Sequence, residues 1–335
     1  VGLVAVVGPN GAGKTSLLEA VHVGTQGFSL RTRRDERAVR FGATAARVAV
    51  RGVRGRDVAF ASEVTIQPGE GKRLLLDGAP AGSVEQLRLA LPVLAFAPDR
   101  LAVVKGGPLV RRLYLDRAIG RVFPARAALP GEYGRALAQR NAALRSARAG
   151  SSGREAIDPW TELLARTGSE LERARAAAVT ALRPGFAAHS ADLGLNAAEL
   201  AYEATELTTA ALNDRLPRDL ERGTTSAGPH LRDVAITAGG HDLRAFGSQG
   251  EQRVAVLALL LAEADVVTTE RGEPPLLLLD DLLSELDDQR RLDLLTGLPE
   301  RCQAMVTATS LRSFPPQAPP LAGVVEVEGG RATLR

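Results

Sequence analysis

Three short runs of this chain carry residue types that could do chemistry together. Gly8-Pro-Asn10-Gly11-Ala12-Gly13-Lys14-Thr15 fits the pattern G-x-x-x-x-G-K-[ST]; the apolar run Val1 to Val7 precedes it, and Leu17, Leu18 and Val21 follow at helical spacing. In a strand, Gly-rich turn and helix, glycine lets the backbone amides of Asn10 to Lys14 wrap phosphate oxygens, and the helix N-terminus adds positive potential. Lys14 would reach the outer phosphates and Thr15 would ligate magnesium, with Ser16 behind them. Leu276-Leu-Leu-Leu-Asp280-Asp281 reads as a buried parallel strand ending in two carboxylates, at the strand end where open α/β sheets collect ligands. Asp280 would hold magnesium through water, and Asp281 would orient or deprotonate an attacking water.

The third run, Phe246-Gly-Ser248-Gln249-Gly250-Glu251-Gln-Arg253, opens an almost wholly apolar helix. Ser248 and the Gly250 amide can offer donors to an anion while that helix stays anchored in the core. Alone, S-x-G-x-Q is explained by a helix cap. Between a phosphate loop and an Asp-Asp strand it predicts a corner that faces the γ-phosphate held by a second copy, so that two sites form at one symmetric interface. Ser284-Glu-Leu-Asp287 follows the Asp-Asp pair and supports the same reading.

These runs need a large frame, and 335 residues with 45% hydrophobic and 24% charged content supply one. The single cysteine, Cys302, and four scattered histidines exclude an internal disulfide and a zinc site, and fit a cytoplasmic protein. Val254 to Val267 is too short for a membrane span and carries Glu263 and Asp265. A net charge of +3 leaves any polyanion site to local placement of arginine, since lysine occurs only at positions 14, 72 and 105.

The elements that must position the motifs are legible as a fold class: an α/β P-loop head. Arg47 to Val53, Val58 to Ile66 and Arg73 to Leu76 alternate as strands, with Pro68-Gly69 and Asp77-Gly78 as turns, which predicts an antiparallel sheet after the first helix. Pro108 to Ile119, Tyr133 to Ala147 and Pro159 to Leu182 read as helices. From Glu251 onward, helices alternate with the short apolar strands Leu276 to Leu279 and Ala304 to Thr307, which predicts parallel strands with right-handed crossovers. Val324 to Glu328 and Arg331 to Leu334 form a hairpin around Gly329-Gly330. The expected partition is residues 1–107 and 224–335 as the two parts of an ATPase lobe, with 108–223 as an inserted helical lobe.

At this point the chain resembles the RecF family of recombination mediator ATPases, relatives of ABC-type and SMC heads. The resemblance spans essentially all residues. Its distinguishing segments are Pro98-Asp99 with Val103-Val104-x-Gly106-Gly107-Pro108-x-x-Arg111-Arg112-x-Tyr114-Leu115-Asp116, and Asp281-Leu-Leu-Ser284-Glu285-Leu286-Asp287-x-x-Arg290. Ser29-Leu-Arg31-Thr32 and Gln139-Arg-Asn-Ala-Ala-Leu144 are similar too. The resemblance implies ATP and Mg2+ as cofactors, an ATP-dependent homodimer, weak DNA-stimulated ATP hydrolysis, and binding to duplex DNA near gaps. It also implies cooperation with RecR and RecO in loading RecA, and no membrane partner. By the same analogy either Thr307 or Thr309 contacts the γ-phosphate. The chain departs from the family at Gly228-Pro-His230-Leu231-Arg232-Asp233, at Ser16 where Asn is usual, and in the family's opening strands, which lie outside this numbering.

Duplex DNA would be met by arginines along one face. The candidates are Arg31, Arg33 and Arg34 after the first helix, and Arg111 and Arg112 after Pro108; the second pair could equally pin a lobe interface. Aromatic residues make up 4% of the chain, which disfavours a base-stacking platform. Two other classes compete with this reading. A transporter's nucleotide-binding subunit needs a much shorter span from Lys14 to Ser248, and a non-hydrolysing SMC-like scaffold needs long heptad coiled coils.

Overall fold

The apolar runs Gly2–Val7, Leu276–Leu279 and Gln303–Ala308 are hydrophobic on both faces, and in the computed structural model they become neighbouring parallel strands. The model describes residues 2–32, 34–54 and 57–335. The full order of this six-stranded sheet is Arg331–Leu334, Leu321–Glu328, Gly2–Val7, Gln303–Ala308, Leu276–Leu279 and Val93–Phe96. Register pairs Val7 with Ala308 and Leu279 with both Val306 and Phe96. That alignment brings the residues after three strands, Gly8, Asp280 and Thr309, to one edge of the sheet. Val6, Leu18, Val93, Ala95, Leu278 and Val327 close the core beneath them.

The predicted antiparallel sheet is present as Ala46–Arg54, Val58–Gln67, Gly71–Leu76 and Ala79–Pro80. Phe60, Ser62, Val64 and Ile66 alternate inward along its second strand. Val64, Ile66 and Leu74 pack with Val23 of the helix Lys14–Gln26 and with Leu87. Gly24 permits this approach: a Cβ there would lie 2.5 Å from Val50 Cγ2, and the Ser62 hydroxyl donates to the Gly24 carbonyl at 2.6 Å.

The chain divides into two compact units, one of Val1–Leu101, Ala188–Asn196 and Arg253–Arg335, the other of Ala102–Ala187 and Ala197–Gln252. The second unit thus extends past the expected border at residue 224. Its Val234–Ala238 strand pairs antiparallel with Ala198–Tyr202, a contact between segments that no local pattern announces. The helix expected to end at Leu182 runs as Asp158–Asp192, through Pro184. Complete burial of Leu182 and Phe186 offsets the roughly 3 kcal/mol that an interior proline costs. Among the described residues, no helix is long and apolar enough to cross a membrane.

Candidate nucleotide site and signature turn

The phosphate loop is shaped from below by the closing hairpin. Gly8 has no room for a side chain, since a Cβ would lie 2.2 Å from the Val327 carbonyl oxygen, and the Gly330 amide donates to the Ala12 carbonyl at 3.0 Å. Ala12 is buried in the core, so its side chain anchors the loop and only its backbone can serve a phosphate. Gly13, at φ 110°, caps the helix Lys14–Gln26. Lys14 Nζ donates to the carbonyls of Gly8 at 2.7 Å and Pro9 at 3.0 Å, which holds the ammonium over its own loop. Asn10, Gly11 and Ser16 are exposed.

The two carboxylates differ in surroundings. Asp280 is buried, and its Oδ1 accepts from the buried Thr307 hydroxyl at 2.9 Å; the same Thr307 oxygen accepts from the Asp281 amide at 2.8 Å. Asp281 is exposed in a left-handed backbone conformation, φ 48°, and its Oδ1 accepts from the Ser284 hydroxyl at 2.8 Å. A non-glycine residue held there stores strain, a recurring property of functional loops. Asp287 caps the next helix, Asp288–Thr296, by accepting from the Arg290 amide. Thr309 is exposed at the strand end. Thr307 therefore belongs to the Asp-Asp scaffold, a role that only the strand register makes visible.

Thr15 and Asp280, 265 positions apart by their numbers, border one cleft with Glu19, Arg31, Phe96 and Leu278. A hydroxyl and a carboxylate are the oxygen donors that a hard divalent cation takes when phosphates and water complete its shell. The described residues contain no group of three or more His, Cys, Asp or Glu side chains that could cage a metal. Ser29 donates to Glu19, which also pairs with Arg31 at 3.6 Å.

At the signature turn, Ser248 and Glu251 form a reciprocal capping box on the helix Gln249–Arg271. The Glu251 amide donates to Ser248 Oγ at 3.2 Å, and the Ser248 amide donates to the Glu251 carboxylate at 2.8 Å. These bonds to Ser248 hold the Glu251 carboxyl below its usual range. Ser248, Gln249, Gly250 and Glu251 are all exposed. A hydroxyl that accepts from an amide keeps its own proton to donate, and the first helical amides have no intrahelical carbonyl. The corner is thus both a helix cap and an outward-facing donor set. Further along the same helix, Arg253 pairs with Glu285.

The arginines expected on DNA separate into different environments. Arg31 is exposed and lines the Thr15–Asp280 cleft; Arg34 is exposed outside it; Arg33 lies outside the described residues. Arg111 corrects the expectation: it is 6% exposed and grips Asp233 with Nε and Nη2, so it has no face for a phosphate. Arg112 is half-buried and donates to the Arg232 carbonyl at 2.8 Å; burial, and then the neighbouring Arg175, press its pKa down. A basic face that the run-based reading missed lies on the antiparallel sheet. Arg47, Arg51 and Arg73 are exposed, and Thr65 pairs with both Arg47 and Arg73. Glu63 is the carboxylate among them, accepting from Arg47 at 2.6 Å. The strand spacing Arg47-x-x-x-Arg51 could have revealed this face.

The chain matches the RecF/RecN/SMC N terminal domain family over residues 1–333. It is 41% identical to the DNA replication and repair protein RecF of Anaeromyxobacter dehalogenans strain 2CP-C, covering 97% of this chain and 91% of that protein. With the protein of the same name from Myxococcus xanthus strain DK1622 the identity is 37%, over 98% and 90%. The solved recombination mediator protein RecF-ATP of the RecFOR pathway superposes with a TM-score of 0.88 at 26% identity, covering all of this chain and 91% of that one. The Smc head domain from Pyrococcus furiosus, at a TM-score of 0.57 and 17% identity, shares the fold. Likeness in sequence and in structure thus runs over nearly the whole length of both partners, and the chain belongs to the RecF family of DNA replication and repair proteins, with an ATP-binding, ABC/SMC-type head.

Proposed function

We propose that this chain is an ATP-driven clamp on duplex DNA: ATP held by one copy is completed by the Ser248–Gly250 corner of a second copy, and slow, DNA-stimulated hydrolysis reopens the pair. The observation that carries this reading is the corner itself. Its donors are exposed at the head of a helix whose body is buried, so they are available to an anion and held in place. The backbone amides from Asn10 to Lys14 and the Lys14 ammonium bind the triphosphate. Lys14 must exchange its two loop carbonyls for phosphate oxygens as nucleotide enters. Magnesium, taken by Thr15 and Asp280, would neutralise charge on the outer phosphates. Asp281 orients or deprotonates the attacking water, with Ser284 fixing its carboxylate.

The nucleotide motifs fall in residues 1–107 and 224–335 and the helical lobe in 108–223, with the Ser248–Gly250 turn belonging to the compact unit that reaches Gln252. Likeness to RecF proteins supports gapped duplex as the DNA partner, with RecR, RecO and RecA loading as the pathway. It also supports a cytoplasmic setting. Because nucleotide acts as an interfacial ligand, dimer affinity rises with ATP and magnesium.

Sedimentation with saturating ATP and magnesium tests the reading. The unaltered chain and Asp281→Asn form dimers, and Lys14→Ala stays monomeric because it binds no ATP. Phosphate release by Asp281→Asn falls about 10²- to 10⁴-fold, the range of a lost general base. A monomeric Asp281→Asn protein at saturating ATP would contradict the clamp. Absence of phosphate release from the unaltered chain, with or without duplex, would leave a nucleotide-binding scaffold instead.

A further inference from the structure

The segment Gly106-Gly107-Pro108-x-x-Arg111-Arg112 is far in sequence from the Asp-Asp pair and carries no nucleotide motif, yet both of its arginines are held by hydrogen bonds, Arg111 to Asp233 and Arg112 to the Arg232 carbonyl. We propose that Arg111 and Asp233 form a positioning clasp that sets the signature turn, Ser248 to Gly250, for work in a partner copy's nucleotide site. This rests on the dimer reading above.

The chain of contacts is continuous and lies within the second unit. A Cβ at Gly106 would sit 2.3 Å from the Ala102 carbonyl oxygen, so the backbone turns tightly into the helix Pro108–Val122. One turn on, Arg111 Nε donates to Asp233 Oδ1 at 2.8 Å and Nη2 donates to Oδ2; Nη1 donates to the Gly106 carbonyl at 3.0 Å. Burial alone would raise the Asp233 pKa, but Arg111, the Val234 amide and Arg112 together hold it below the ordinary carboxylate range. Asp233 directly precedes the strand Val234–Ala238, whose Ile236 carbonyl accepts from the Leu243 amide at 3.1 Å. The Leu243 carbonyl in turn accepts from the Gly247 amide at 3.2 Å and from Gln252 Nε2 at 2.8 Å. Gly247 cannot carry a side chain, since its Cβ would lie 2.6 Å from that carbonyl oxygen. Ser248 follows.

This path adds order on the strand side of the turn to what the buried helix and the capping box supply, since the turn is bare on its outer side. Phe246 is 76% exposed, and Ser248, Gln249 and Gly250 are exposed. A planar guanidinium that engages both carboxylate oxygens and the Gly106 carbonyl fixes the residue that leads into the strand in rotation as well as in distance. A lysine offers a point charge and cannot do so. Arg111 therefore acts through the strand and Leu243, as a positioning residue that touches no nucleotide.

The test uses the full chain carrying Arg111→Lys or Asp233→Asn, two mild changes that keep the side-chain volume. Amide hydrogen exchange without nucleotide is compared between residues 243–250 and residues 8–15. Both variants exchange at least about 10-fold faster at 243–250 and alike at 8–15, as expected of a local opening. Affinity for a fluorescent ATP analogue at the variant's own loop changes by less than about 2-fold, while the ATP-dependent dimer weakens at least about 10-fold, since independent sites respond separately. Unchanged exchange at 243–250, or a uniform rise across both regions that follows a lowered Tm, overturns the clasp. If exchange responds as stated but the unaltered chain does not dimerise with ATP, the clasp's hold on the turn stands and the clamp reading fails.

Discussion

Thr307 and Asp280 share a buried hydrogen bond of 2.9 Å, and the same threonine oxygen receives the Asp281 amide at 2.8 Å. One hydroxyl thereby sets the aim of both carboxylates, since it fixes Asp280 Oδ1 and the backbone entry to Asp281. Thr307→Val keeps the shape and removes the donor and acceptor. Leaving those groups unsatisfied costs about 1–3 kcal/mol, read as a lowered Tm, with phosphate release reduced more than ATP affinity. Thr307→Ser restores the hydroxyl and both readouts. Normal turnover in Thr307→Val would remove the threonine from the scaffold.

Gly8 is confined by the hairpin strand. With a Cβ placed 2.2 Å from the Val327 carbonyl oxygen, Gly8→Ala forces the loop and the strand apart, at a cost of about 1–3 kcal/mol for overpacking. Calorimetric titration will show ATP affinity falling along with Tm. The control Gly11→Ala has open space for its Cβ but sits at φ 79°, so its effect comes from backbone strain alone and not from the hairpin.

His230 links pH to stability in the second unit. Its Nδ1 lies 2.6 Å from the Tyr133 hydroxyl and its Nε2 3.2 Å from the Thr225 carbonyl, and burial, with Arg112 and Arg175 nearby, lowers its pKa below the ordinary 6.5. A base with a depressed folded pKa stays neutral in the fold while the unfolded chain takes up a proton. Its contribution is therefore intact above pH 6.5 and is lost as pH falls from there through the folded pKa. The slope is at most about 1.4 kcal/mol per pH unit for one proton. Urea unfolding between pH 8 and 5 will show a shallower pH dependence for His230→Asn than for the unaltered chain.

The face formed by Arg47, Arg51 and Arg73 tests where duplex phosphates rest. Replacing all three by alanine should make the plot of log affinity against log salt shallower by about 2.7, at roughly 0.9 per phosphate contact. ATP-dependent dimerisation should be unaffected. A salt slope equal to that of the unaltered chain would send the duplex elsewhere, with Arg31 and Arg34 as the remaining exposed candidates among the described residues.

The sequence by itself determined the elements and the motifs on them, because periodicity and glycine placement are local properties. Leu276 to Leu279 is a strand with the bounds that its four leucines announce, and the strand–loop–helix around Lys14 follows from glycine spacing. Tertiary structure alone decided which distant groups meet. Thr307 was one of two indistinguishable threonines until parallel register set it beside Asp280. Arg111 looked like a phosphate binder until Asp233, 122 residues away, took both of its donating edges. Arg140 sits in a family-like segment of a helical run that says nothing of its surroundings, yet it is fully buried against Asp219, Thr161 and Thr225. Composition reports that charges exist. Whether an arginine faces solvent or a buried carboxylate depends on which segments pack together, and the free energy of that packing is a property of the assembled core.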